Sequence, residues 1–192
     1  MVSSEDLQKV APVPPTLLPR RPILQRQQVR FFSFGKTPGF THLDENAKAN
    51  MVDISEKTIS VRMARAEARI RMSTETYNQL QAQTLKKGDV FTVSKLAGIQ
   101  AAKQTSLLIP LCHQIPLSHV DISFELKDGY LFVRSTVKTV ANTGVEVEAM
   151  TSLSIACCTV FDMCKSVDKG MMIEAMFLVE KSGGKSGHYL VD

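Results

Sequence analysis

Asp162 and Lys165 close a run, Ala149 to Phe161, that carries no charged residue. On a helix an i,i+3 spacing puts a carboxylate and an ammonium about 60° apart around the axis, so both can address one bound molecule. That pairing suits proton transfer, but it also describes a plain ion pair capping a buried helix. The choice depends on what else the chain brings to the pair. Four polar clusters interrupt the apolar pattern at expected element ends, where segments converge on clefts. They are Lys86-Lys87-Gly88-Asp89, Leu111-Cys112-His113, Thr143-Gly144-Val145-Glu146-Val147-Glu148 and Lys181-Ser182-Gly183-Gly184-Lys185-Ser186-Gly187.

Each cluster has an ordinary explanation beside the chemical one. Two lysines before a glycine fit a helix C-terminus, where cations favour the dipole. Cys112 and His113 are neighbours that point to opposite faces of an extended chain, so they would not chelate one ion and no metal site is expected. Glu146 and Glu148 would share a face if extended, either solvated at a rim or separated by a cation or proton. Gly184-Lys185-Ser186 imitates the end of a P-loop, but Val179 stands where the first glycine is required and no helix can follow. A glycine-rich loop bearing Lys181 and Lys185 could still fold over phosphates. The segment Asp128 to Val133 partly matches an RNA-recognition strand exposing Tyr130 and Phe132, without its leading basic residue. A basic stripe beside that pair would favour RNA.

The elements that must position these groups belong to one folded domain. The 192 residues are 44% hydrophobic and 22% charged, enough for one core. The formal charge of +4 is compatible with an anionic ligand, although part of it comes from the N-terminal arm. The four cysteines form no C-x-x-C pair and read as reduced, mostly buried thiols. No apolar stretch reaches the roughly 20 uninterrupted residues of a membrane span, so no membrane partner is expected.

Residues 1–40 differ in kind from the domain expected over 41–192. Pro12, Pro14, Pro15, Pro19 and Pro22 forbid a long helix, Arg20, Arg21, Arg26 and Arg30 face only Glu5 and Asp6, and the arginine-rich part ends in Arg30-Phe31-Phe32-Ser33. This resembles a transit peptide for the mitochondrial matrix. The alternative is a disordered extension of a cytoplasmic protein, towards which the early Glu5 and Asp6 point.

Alternation from Thr58 to Met72 predicts a strand, with a parity switch near Met63-Ala64 suggesting a bulge, although Ala, Arg and Glu favour helix. Ser73 predicts a helix cap, with that helix running to about Lys86 and stopping at Gly88. A second helix is expected from Ser94 to Pro110. Val120 to Lys127, Asp128-Gly129 and Tyr130 to about Thr139 read as a β-hairpin with one wet face. The helix holding Asp162 follows, then a strand from Met171 to Lys181. Hairpins and grouped helices, rather than regular βα alternation, predict an α+β fold: an antiparallel sheet with helices packed on one face.

Taken together and in order, the clusters are more specific than any one of them. With Asn50-Met51-Val52-Asp53-Ile54, Ala97-Gly98-Ile99-Gln100-Ala101-Ala102-Lys103 and Leu108-Ile109-Pro110 added, the chain from about Thr41 to Tyr189 resembles the cyclic pyranopterin monophosphate synthase family of molybdenum cofactor biosynthesis. The resemblance implies a ferredoxin-like fold, a hexamer built from dimers with shared active sites, and a lyase that releases pyrophosphate from a cyclised dihydroguanosine triphosphate. A radical SAM enzyme makes that substrate and would be a partner. Asp162, Lys165 and Lys87 would be catalytic. Leu111, Cys112, His113, Val147 and Glu148 would contact substrate, with Glu146, Arg62, Lys103, Lys181 and Lys185 as further members. Val147 departs from the family's usual Met, and Gln114-Ile115 replaces its usual residues. The polyphosphate needs the cations Arg62, Lys87, Lys103 and Lys181. Lys165 would act with Asp162 as a proton relay, and magnesium could share the phosphate charge without any motif requiring it. An inactive scaffold homologue is the competing reading, against which the retained Asp162, Lys165 and Lys87 speak.

Overall fold

The computed structural model describes residues 48–185 and 187–191; the arm over 1–40 and its boundary at 41 lie outside them. The order is β1 (Ser60–Arg71), α1 (Thr74–Ala82), α2 (Val90–Lys103), α3 (Thr105–Leu108), β2 (His119–Lys127), β3 (Tyr130–Ala141), α4 (Glu146–Cys164), β4 (Met172–Ser182) and β5 (Tyr189–Leu190). The strands form one antiparallel sheet in the order β2-β3-β1-β4-β5, with α2 and α4 packed on it. The expected α+β sandwich is present; β5 was not expected, and the helix expected to Pro110 is broken at Gln104, so that Thr105–Leu108 form a separate α3.

β1 shows how packing overrides propensity. Ala64, Ala66, Ala68 and Ile70 are at most 2% exposed, and their small side chains let α4 lie close on the central strand. The parity switch is not a bulge in β1, whose register with β3 is unbroken from Ser60 to Arg71. The irregularities lie in β4: between Arg65 and Ala66, and again between Arg69 and Ile70, the pairing skips Val179 and then Glu174. Ile59 and Val61, read as one face of the strand, stand 67% and 68% exposed.

Helix ends also moved from their expected places. Ser73 caps α1 by accepting from the Thr76 amide at 3.2 Å, as its sequence predicts. The helix then stops at Ala82, with Gln83 left-handed at φ 53°. α2 starts four residues before Ser94, because Asp89 accepts from the Thr92 amide at 3.0 Å and caps it. Lys86 and Lys87 therefore sit in a turn between helices, not at a helix end. The Asp128-Gly129 hairpin is as read: both residues have positive φ, 52° and 80°, as a primed two-residue turn requires.

α4 is long and apolar enough to cross a membrane by length and composition, but Ala149, Leu153, Ala156, Cys157 and Val160 are fully buried in the core. Burying a leucine such as Leu153 contributes about 1.5–3 kcal/mol. α2 crosses α4 at Gly98, where an added Cβ would stand 3.0 Å from the Ser152 carbonyl oxygen and from Ile122 Cδ1. Only glycine fits that crossing without a shift.

Candidate active site

The C-terminal end of α4 gathers the three residues expected to be catalytic. Asp162 Oδ1 lies 2.6 Å from Lys165 Nζ, and Oδ2 lies 3.2 Å from Lys87 Nζ. Lys87 Nζ also donates to the Asp162 carbonyl at 2.7 Å. That carbonyl belongs to the last turn of the helix, which lacks intrahelical partners and favours cations. Lys87 reaches it from the turn between α1 and α2, held below by buried Leu85, whose carbonyl accepts from the Gly88 amide. Lys165 and Lys87, by hydrogen bond and charge, hold the Asp162 carboxyl below its ordinary range. Its two oxygens thus each have an ammonium group within hydrogen-bond reach.

The pair is not enclosed in the apolar run: Lys87, Asp162 and Lys165 side chains are 42%, 57% and 51% exposed. Lys87 and Asp162 touch within one chain, so a division of the site that assigns them to different subunits does not hold.

The other end of α4 gathers a second group. Glu146 and Glu148 occupy its first turn, not an extended strand, and two positions on a helix lie about 200° apart. Glu146 Oε1 pairs with Lys181 Nζ at 2.9 Å, across a loop that only Gly144 leaves open: a Cβ there would meet the Glu146 carboxylate. Glu148 is 5% exposed, and burial first, then the Glu146 charge, push its carboxyl up. Burial likewise pushes the nearby Cys112 thiol up, with the Glu148 charge adding to it. His113 Nε2 bonds the Val52 carbonyl at 2.7 Å, and since a carbonyl only accepts, Nε2 carries the proton there.

Two cavities flank this end. One, of about 480 Å³, is lined by Lys57, Thr58, Ser60, Arg62, Gly184 and Lys185, none of them acidic. The other, also about 480 Å³, is bordered by Met51, Ile54, Ile59, Cys112, His113, Ile115, Val140 and Asn142. The first suits an anion, and the second an apolar ring with polar edges. Leu111 is half-buried, Val147 is exposed, and Lys103 is exposed in the last turn of α2; none of the three lines either cavity. Lys57 and Asn142 escape sequence reading. Asn142 Nδ2 donates to the Ile54 carbonyl at 2.8 Å and ties the segment before β1 to the end of β3. Lys57 is brought to the tail by the β1–β4 pairing, in which Met63 faces Ser182, and no periodicity signals that.

From Glu148 to Asp162 is fourteen residues of helix, about 21 Å. An acid or base must come within about 3 Å of the proton that it moves, so the two ends of one chain cannot serve one reacting atom. Among the described residues, no three His, Cys, Asp or Glu side chains group closely enough to hold a metal ion. Cys157 and Cys164 are buried, with thiols pushed up to about 12 and about 11 by burial, whereas Cys158 is exposed; all four cysteines are free.

Among the described residues, the open sheet face offers no basic stripe. Tyr130 and Phe132 are neighbours at 6.3 Å with Arg69 over Tyr130, but Arg69 and Arg71 pair with Glu174, Arg65 with Glu180 and Arg134 with Glu67. Most of their charge is already offset, although Arg69 and Arg71 share the one carboxylate of Glu174, and this weakens the support that RNA binding needed.

Residues 51–184 match the family model described as the MoaC family. The chain is similar to proteins named cyclic pyranopterin monophosphate synthase. That of Bacillus subtilis strain 168 is 50% identical over 155 residues, covering 79% of this chain and 91% of the relative. That of Bacillus licheniformis is 51% identical over 154 residues, 78% and 92% of the two chains. That of Geobacillus thermodenitrificans is 49% identical over 154 residues, 78% and 95%. A match across most of the folded chain, containing Lys87, Asp162 and both glutamates, places this protein in the MoaC family.

Proposed function

We infer that this chain performs the reaction for which its relatives are named. It is a phosphorus–oxygen lyase of molybdenum cofactor biosynthesis. It converts (8S)-3',8-cyclo-7,8-dihydroguanosine 5'-triphosphate to cyclic pyranopterin monophosphate and pyrophosphate. The observation that carries the reading is the contact of Lys87 and Lys165 with one carboxylate, Asp162, from segments far apart in sequence. An inactive scaffold would have no use for two ammonium groups fixed on a firm anion.

The chemistry follows from these groups. Forming a cyclic phosphate requires a substrate hydroxyl oxygen to bond the α-phosphorus while the α–β phosphorus–oxygen bond breaks and the hydroxyl proton departs. Pyrophosphate leaves with its charge, which nearby ammonium groups stabilise. Lys165 and Lys87 supply donors and protons as the purine-derived ring opens and recloses, and Asp162 fixes their direction. Arg62, Lys57, Lys181 and Lys185 receive the phosphates, while Cys112, His113 and Glu148 border the ring. Magnesium accompanying the polyphosphate would share the charge.

The 21 Å between the groups supports a site composed of two chains: Lys87, Asp162 and Lys165 from one, and the glutamate end of α4 with its cavities from another. The exposure of the lysine–aspartate group fits a neighbour that covers it. The assembly we propose is a hexamer of dimers, receiving substrate from a radical SAM enzyme. The β-α-β-β-α-β core with strand order β2-β3-β1-β4 supports a ferredoxin-like classification. Residues 1–40 fit a mitochondrial leader ahead of a domain over 41–192; a reporter fused to them that stayed cytosolic would remove that reading. The deciding assay incubates the purified chain with the cyclised nucleotide and measures pyrophosphate. Release above the enzyme-free rate is expected, and none from folded oligomer overturns the reading.

A further inference from the structure

Among the described residues, Arg62 is the only arginine bordering the cation-lined cavity, and its guanidinium is held from two sides. Nε donates to the Ala141 carbonyl at 3.0 Å, which fixes one edge of the planar group. Against the other edge lies the backbone of the tail. A Cβ on Gly184 would stand 2.1 Å from Nη1 and 2.8 Å from Cζ, and one on Gly183 would stand 2.2 Å from the Val61 carbonyl oxygen. Gly184 has φ +75°, where side chains are rarely tolerated, so contact and conformation demand glycine together. The tail therefore rests its bare backbone on the guanidinium.

We propose that Gly184 is a positioning residue for Arg62: by lying against Nη1 it sets the plane in which the guanidinium presents its fork to a phosphate in the cavity. This rests on the function proposed above. A planar donor fork matches two phosphate oxygens only at a limited set of angles, and Lys57 and Lys185 are point charges that cannot supply that orientation. Gly187 provides an internal control. It belongs to the same loop and has φ +65°, but a Cβ there would have no atom within 4 Å. Alanine at 184 and at 187 impose a similar backbone strain, and only the first meets Arg62.

The experiment compares Gly184→Ala, Gly187→Ala, Arg62→Ala and the Arg62→Ala/Gly184→Ala pair in the full chain. Pyrophosphate affinity is measured by calorimetry, and kcat and KM with the cyclised nucleotide. Gly184→Ala is expected to weaken pyrophosphate binding and raise KM about tenfold, the scale of one charge-assisted hydrogen bond, with kcat changing less. Gly187→Ala should change either quantity by less than about twofold. In the Arg62→Ala background Gly184→Ala should add nothing, because the group it positions is gone. Equal effects of the two glycine substitutions, or a full Gly184→Ala effect without Arg62, overturn the positioning role and leave the cavity's function standing. If Arg62→Ala alone alters neither pyrophosphate affinity nor KM, the cavity's assignment to phosphate falls, and the proposal with it.

Discussion

The two ends of α4 solve opposite electrostatic problems. At the C-terminal end one exposed carboxylate holds two exposed ammonium groups, leaving one positive charge in excess on a cluster that water can reach. At the N-terminal end Glu148 is buried and its carboxyl is pushed up, while a cavity lined by Lys57, Arg62 and Lys185 has no acid on its wall. The cations of the first end have an acid of their own, and in that sense it is complete, whereas the second is complete only when an anion arrives. A group that must give protons repeatedly needs a stable setting, whereas one that must bind an anion needs an unpaired one.

The largest expected effect comes from breaking the complete end. Asp162→Ala and Lys165→Ala should each lower turnover by at least roughly 100-fold, while melting temperature hardly moves because the groups are exposed. A large fall in melting temperature with near-normal turnover would reduce the cluster to a helix-end ion pair.

Mixing variants asks whether the two ends cooperate across chains. Equal amounts of Asp162→Ala and Glu148→Gln, exchanged into mixed dimers, should recover about a quarter of wild-type activity, because half of the dimers carry one intact composite site of two. Asp162→Ala mixed with Lys87→Ala should recover nothing, since both residues serve the same end. Recovery in the second mixture but not the first would reverse this division of the site.

The helix that joins the two ends is seated in the fold where α2 crosses it at Gly98. Gly98→Val should destabilise the fold by roughly 1–3 kcal/mol, read from denaturant midpoints, because the Ser152 backbone and Ile122 leave no room. An unchanged midpoint would mean that the helices slide freely past one another.

The smallest effect concerns the incomplete end. Burial raises the folded-state pKa of Glu148, so its contribution to stability is full below the unfolded carboxylate value of about 4.3 and is lost as pH rises through the raised value. Glu148→Gln removes that loss, so its melting temperature relative to wild type should climb with pH over this window. Parallel curves would show that the buried carboxylate costs nothing.

How much of this was legible in the sequence depended on whether a local signal existed. The hairpin was, because Asp128-Gly129 between alternating runs leaves little other choice. The first turn of α4 was not: its N-cap is Val145, which offers no side-chain oxygen, so residues 143–148 read as extended. The end of α1 was hidden because Gln83, not glycine, takes the left-handed position. At α2 the β-branched Val90, Thr92 and Val93 masked the cap at Asp89. The Asp162–Lys165 pair was visible as a spacing, but Lys87 joined it only through the resemblance, because only tertiary structure folds the turn holding Lys87 onto α4.

The tail carrying Gly184 and Lys185 is anchored beyond the loop by little: β5 makes two pairs with β4, Val191 donates to the Val179 carbonyl, and its side chains are exposed. Opening it exposes only the covered parts of Tyr189, Leu190 and Val191, whereas releasing β1 requires the core to unfold. Its amides should therefore exchange with solvent on a separate and much faster clock than those of β1. The part of the molecule that would handle phosphate can thus be lifted and reset many times within the lifetime of a single folded chain.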